Sequence, residues 1–309
     1  MRPAKKWWQG VILLFIGVLI FYYLFKHPGT FAPLKNLTFT SALLLVSLRA
    51  TMLLVNGLLL KDSALFFRVK LRPKEWIGLS FVTALGNYLT PFSGGMVARA
   101  GYLKRIHDLP LTKFAVILAS YYLIVFFGVA VVGLVDSLFI MKTSAQLQWP
   151  LPVFFGCVAG GVGALVILPL PLISSNRMLL RKIGEALECW KLIRNDRPLI
   201  LRFSGYTFLN IFTNGLLFFI AYRSLGADIL FSHALMISLI ALFSLLVNIT
   251  PANLGIQEAV VSIASGGLGQ GVGEGLVVVL LIRAATMLLA FTLGPIFVLV
   301  LGSRKPNRT

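Results

Sequence analysis

Long apolar runs separated by short polar and basic stretches organise this chain. A helix needs about 20 mostly apolar residues to cross the hydrocarbon core of a bilayer. By that measure the pattern predicts spans over roughly 10–25, 37–60, 112–140, 151–173, 199–225 and 275–301. Two further apolar stretches, 76–93 and 232–250, run into Thr-Pro breaks instead of continuing. The expected fold is therefore an all-α polytopic membrane protein with about six full spans and two broken, re-entrant helical hairpins. The first run follows Lys5-Lys6, as a signal peptide would. It lacks a small-residue cleavage site and ends at Tyr22-Tyr23 and Lys26, so it reads as an uncleaved anchor.

Composition narrows the class further. Of the 309 residues, 58% are hydrophobic and 12% charged, with a mean hydropathy of +0.90. Soluble domains carry about 25% charged residues, so a water-soluble enzyme of this size lacks the polar residues to cover its surface. The apolar content equally excludes disorder. The formal charge of +18 would suggest nucleic acid in a soluble protein; in a membrane protein it reads first as a topology signal. With the N-terminus cytoplasmic and both broken stretches turning back, 22 of the 28 Lys and Arg fall in cytoplasmic segments and 4 in outer ones. That bias satisfies the positive-inside rule and places both termini in the cytoplasm. No nucleic-acid partner is expected. The linker around 174–198 repeats Leu179, Ile183, Leu187 and Trp190 among basic residues, the pattern of an amphipathic helix on the inner leaflet.

An internal repeat is the strongest feature. Thr90-Pro91-x3-Gly95 and Thr250-Pro251-x3-Gly255 share one pattern, and each follows an asparagine, Asn87 and Asn248. Each half of the chain, about 1–148 and 149–309, reads as span, span, broken stretch, span. Three crossings per half invert the second half relative to the first. Inverted halves with interrupted helices in matching places point to a transport site near the bilayer midplane. Proline breaks the helix, glycine permits the turn and close backbone approach, and N–H groups at the restarted helix can hold an anion such as phosphate.

Charges inside apolar sequence are the next candidates, because a charge at the bilayer centre costs about 2.5–3.5 kcal/mol or more. Glu258 follows the second break, Arg49 lies in the second span and Arg283 in the last. Glu258 can pair with either arginine. Arg99 follows the first break; it belongs either to the site or to the cytoplasmic surface with Lys104 and Arg105. The sixth span carries Arg202, Tyr206, Asn210 and Asn214 at four-residue spacing, one polar stripe that serves as a headgroup path or as glue between helices. Gly156-x3-Gly160-x3-Ala164 reads as a small-residue packing face. No nucleotide-binding glycine motif, metal spacing or disulfide framework is present, so no cofactor or metal is expected.

The paired Pro-x3-Gly breaks, the Pro251-x3-Gly255-x2-Glu258 run and the last-span Arg283 followed by Gly294 resemble the lysylphosphatidylglycerol synthase transmembrane region family, also called flippase-like domain proteins. The resemblance covers nearly the whole chain. It implies a domain that moves a lipid between leaflets of the bacterial cytoplasmic membrane, with Glu258, Arg283 and the two breaks as the residues carried over. The chain ends at Thr309, just past the last span, so the expectation is a stand-alone member without the aminoacyl-transferase domain. Two departures stand out: Met96 follows Gly95 where many members have Glu, and Ser120-Tyr121-Tyr122 stands where many carry a Glu-Arg pair.

The leading expectation is a non-enzymatic inner-membrane lipid transporter. An anionic or glycan-linked headgroup would pass between the inverted halves, contacting Arg49, Arg99, Glu258, Arg283 and the two breaks. A homo-oligomer and a glycosyltransferase partner fit the same reading. The alternatives are a secondary transporter of a small solute or ion, and a non-catalytic membrane partner of an envelope glycosyltransferase.

Overall fold

A computed structural model describes residues 28–90, 93–143, 149–167, 191–244 and 250–303. The anchor expected at 10–25, Pro91, Asn248 and all of the 174–198 linker before residue 191 lie outside these. The regular elements among the described residues are all helical, with no strand among them. After a short 3-10 segment (Pro28–Asn36) come α1 (Phe39–Phe66), α2 (Pro73–Leu89), α3 (Gly94–His107), α4 (Leu111–Thr143) and α5 (Pro150–Ile167). They are followed by α6 (Arg197–Ser224), α7 (Phe231–Phe243), α8 (Ile256–Gly267) and α9 (Val272–Gly302). Among these, α1, α4, α6 and α9 are long and apolar enough to cross a membrane, while α5 and α7 are shorter apolar helices. The chain is a multi-pass all-α membrane protein, and each expected span within the described residues has its helix.

Local chemistry sets the helix ends. Thr38 caps α1, its hydroxyl accepting the Ser41 N–H at 3.2 Å. Pro73 opens α2, and Glu75 reaches back to the Arg72 N–H at 2.7 Å, the acidic half of a capping box. Asp196 caps α6 through the Leu199 N–H at 3.0 Å. Gly226, at φ 86°, closes α6 with the left-handed residue that glycine adopts at least cost.

The chain forms two compact units. One collects residues up to Thr51 with Phe81–Met96 and Thr213–Pro295; the other collects Met52–Ser80, Val97–Phe212 and the residues from Ile296 on. Both Thr-Pro-x3-Gly breaks belong to the first unit. In the second, α4 and α5 pack along each other. Their close contacts are Gly133 against the Phe155 ring and Gly163 against Phe127. The face expected from Gly156 and Gly160 is not used in this way. A methyl on Gly156 would meet nothing nearer than 3.9 Å, and one on Gly160 nothing within 4 Å among the described residues. Bulky aromatic partners, not glycine spacing, decide which side of α5 is covered.

Candidate functional site

The second break is built from a short 3-10 turn, Pro251–Asn253, between α7 and α8. Thr250 precedes it in extended conformation, and its hydroxyl donates to the Leu254 carbonyl at 2.8 Å. The turn forces three residues into left-handed backbone: Ala252 at φ 47°, Asn253 at φ 59° and Gly255 at φ 85°. Glycine accepts this freely and asparagine tolerates it; for alanine it costs about 1–2 kcal/mol. Asn253 contributes the staple. Its side-chain amide donates to the Ser244 carbonyl at 2.9 Å and to the Ser244 hydroxyl at 2.8 Å, tying the turn to the end of α7.

Glu258 and Arg283 close the break from the other side. Both are buried, at 3% and 8% exposure. Glu258 Oε2 accepts the Gly255 N–H at 2.7 Å, so the first turn of α8 is capped by its own acid. Glu258 Oε1 lies 2.7 Å from Arg283 Nε, an ion-pair distance, although that N–H is not aligned for a hydrogen bond. Arg283 Nη1 donates to the Ala252 carbonyl at 3.1 Å, gripping the residue in the least favourable backbone. Arg283 Nη2 has no hydrogen-bond partner among the described residues.

Arg49 joins from α1. Its Nε donates to the Thr286 hydroxyl at 2.7 Å, one turn along α9 from Arg283. Arg49 and Arg283 are near enough to feel each other's charge, and Tyr88, at the end of α2, feels both arginines and Glu258. The first unit thus gathers two guanidinium groups, one carboxylate and a phenol, drawn from both halves of the sequence. Glu258 takes Arg283 as its ion-pair partner.

The first break places Asn87 and Thr90 at the end of α2 and Gly95 at the start of α3. Thr90 turns its hydroxyl back onto the Gly86 carbonyl at 2.6 Å. Asn87 Oδ1 accepts the Gly95 N–H at 3.0 Å. Ser93 holds the turn at φ 53°. Close backbone approach, expected at Gly95, is what the structure has: a methyl there would strike the Thr83 carbonyl and Asn87. One expectation is corrected. The glycine N–H groups of the two restarted helices are not open to an anion, because Asn87 takes one and Glu258 the other. In both breaks the glycine four residues after proline is capped by a side-chain oxygen of the same chain.

Arg99 belongs to the second unit and is buried, at 7% exposure, while Lys104 and Arg105 are exposed. Its charge is felt by Tyr122 and Tyr121 on α4. The polar stripe of α6 finds partners on α1: Arg202 lies 3.4 Å from Asp62, and the Tyr206 hydroxyl donates to Asp62 at 3.0 Å. The Asn210 amide reaches Asn56 at 3.5 Å. Asn214, in the first unit, reaches the Ser238 carbonyl at 3.5 Å.

Sequence reasoning passed over Tyr88, Asn253 and Thr286. Tyr88 lies inside the quoted break, and Thr286 lies three residues after Arg283 on the same helix face, so spacing could have found both. Asn253 is the residue type that visits left-handed backbone most readily after glycine. Among curated proteins no sequence matches this chain. The model of one family, lysylphosphatidylglycerol synthase TM region, matches residues 7–294, and by that match over nearly its whole length the chain belongs to this family.

Proposed function

We propose that this protein is a lipid transporter of the bacterial cytoplasmic membrane that carries an anionic headgroup through the polar site of the first unit. The observation that carries the reading is the cluster of buried Glu258 and Arg283 with the half-buried Arg49 and Tyr88, gathered where the two helices break. Membrane proteins place charges at such depth where a polar substrate must pass, and irregular backbone persists there where protein or a water-filled cavity covers it. The Arg283 guanidinium, whose Nη2 has no hydrogen-bond partner among the described residues, favours a negatively charged cargo. Acyl chains would remain in lipid while the headgroup crosses. The groups are suited to hold and release an ion, and we assign the protein no bond-making step. The positive-inside bias supports cytoplasmic termini. Envelope lipids with anionic or glycan-linked headgroups are the proposed partners, with a second copy of the chain or a glycosyltransferase as further ones.

The test is leaflet accessibility in proteoliposomes, with fluorescent phosphatidylglycerol and a polyisoprenyl phosphate as probes. The wild type should expose at least one lipid faster than empty vesicles do. Arg283→Ala and Glu258→Gln, folded by thermal melting, should lose that activity. A wild type that matches empty vesicles for every lipid sinks the reading and turns attention to uptake of an aqueous solute.

A further inference from the structure

Glu258 stands where an incoming anion would be expected to stand. Proteins assemble phosphate sites from helix N-termini and guanidinium groups. Here both are present, and one internal carboxylate holds both: Oε2 on the Gly255 N–H and Oε1 beside Arg283 Nε, each at 2.7 Å. The guanidinium is nonetheless not saturated. Arg283 is 8% exposed, and its Nη2 has no hydrogen-bond partner among the described residues. A donor buried without an acceptor is unfavourable. Arg49 adds a second positive charge within reach of the first.

We propose that Glu258 is an internal anion that the phosphate of the substrate replaces at Arg283 and the Gly255 N–H. The inference rests on the transport reading and deepens it, naming the cargo as a lipid whose headgroup presents a phosphate. Without cargo, the carboxylate closes the break. With cargo, phosphate takes the guanidinium, including Nη2, and Glu258 is released. Return of Glu258 expels the phosphate. Arg283 also grips Ala252 through Nη1, so the exchange is felt by the left-handed turn itself. Glu258 is then a release residue: its loss strengthens binding and stalls movement. A residue that simply bound the headgroup would weaken binding when lost.

The experiment titrates the purified intact chain in nonionic detergent by calorimetry, with sodium phosphate in one arm and short-chain phosphatidylglycerol in the other. Glu258→Gln should bind about tenfold more tightly than wild type, or better, and should move lipid more slowly in vesicles. Arg283→Ala should lose binding, alone or combined with Glu258→Gln. Unchanged or weaker binding by Glu258→Gln overturns the exchange, as does an absence of binding by every form. Unmodified protein supplies a second readout should the variant not fold. Carbodiimide labelling of Glu258, followed by mass spectrometry, should accelerate when phosphate or phosphatidylglycerol is added. Protection or an unchanged rate overturns the proposal. The sign of the affinity change tests the exchange and vesicle movement tests the transport reading, so the two can fail separately. If sodium phosphate alone gives the expected sign, the exchange stands with an aqueous anion and the lipid reading falls.

Discussion

Replacing Gly86 by alanine sets two effects of known size against each other. Gly86 lies within α2, where the helix passes the start of α3. A methyl added there would stand 2.7 Å from Gly95 Cα and 3.0 Å from Gly95 N, where ordinary contacts lie at 3.4–4 Å. Helix propensity alone favours the change, since alanine in a helix interior gains about 0.5–1 kcal/mol over glycine. Overpacking opposes it with about 1–3 kcal/mol. The obstructing atoms are backbone. Gly95 has little room to retreat, because it already abuts the Thr83 carbonyl and is held by Asn87 at 3.0 Å. Packing therefore wins, and a net loss of about 1–2 kcal/mol is expected. Gly101→Ala in α3 is the control: its methyl would meet nothing within 4 Å, so propensity acts alone and stability holds or rises slightly. The assay is reversible unfolding in mixed micelles of rising denaturing-detergent content, with both variants measured beside wild type. If Gly86→Ala proves as stable as Gly101→Ala, the close approach of α2 and α3 at this glycine is wrong. The account of Gly95 as a required glycine fails with it.

Three further outcomes are expected. Arg283→Ala should cost about 3–5 kcal/mol, because it leaves the Glu258 carboxylate buried without its cation, and adding Glu258→Gln should recover part of that loss in the same unfolding assay. Asn253→Ala should cost about 1–3 kcal/mol through the two lost contacts to Ser244, with Asn253→Gly regaining only the backbone component; equal stability of all three forms would contradict the stapled turn. Asn210→Leu should be neutral or stabilising, because the Asn210 amide reaches Asn56 only at 3.5 Å and its Oδ1 is buried without a hydrogen-bond partner among the described residues. If lipid movement falls while stability does not, the α6 stripe belongs to the headgroup path; if both are unchanged, it is packing.

What could be read in the sequence were features that depend on near neighbours. Hydrophobic run length identified the spans, because a bilayer imposes one length on every crossing helix. The two Thr-Pro-x3-Gly signatures located the breaks, because proline and glycine act on their own backbone. Glu258 and Arg283 stood out because a charge in apolar sequence is costly wherever it is found. The stripe of α6 was visible from its four-residue spacing, but its partners Asn56 and Asp62 were not, since they lie about 150 residues away.

The sequence alone thus determined the class of the protein, the position of its helices and breaks, and the short roster of residues suited to its chemistry. Tertiary structure decided which of them meet. It gave Glu258 to Arg283 and set Arg49 on Thr286, brought Tyr88 beside both cations, and placed Arg99 with the tyrosines of α4. It also decided the point on which the proposed mechanism turns. Composition and motif say that a restarted helix can hold an anion; only the folded chain shows that Glu258 already holds that place. Such pairings are set by packing between segments far apart in the chain, and no local rule of spacing encodes them.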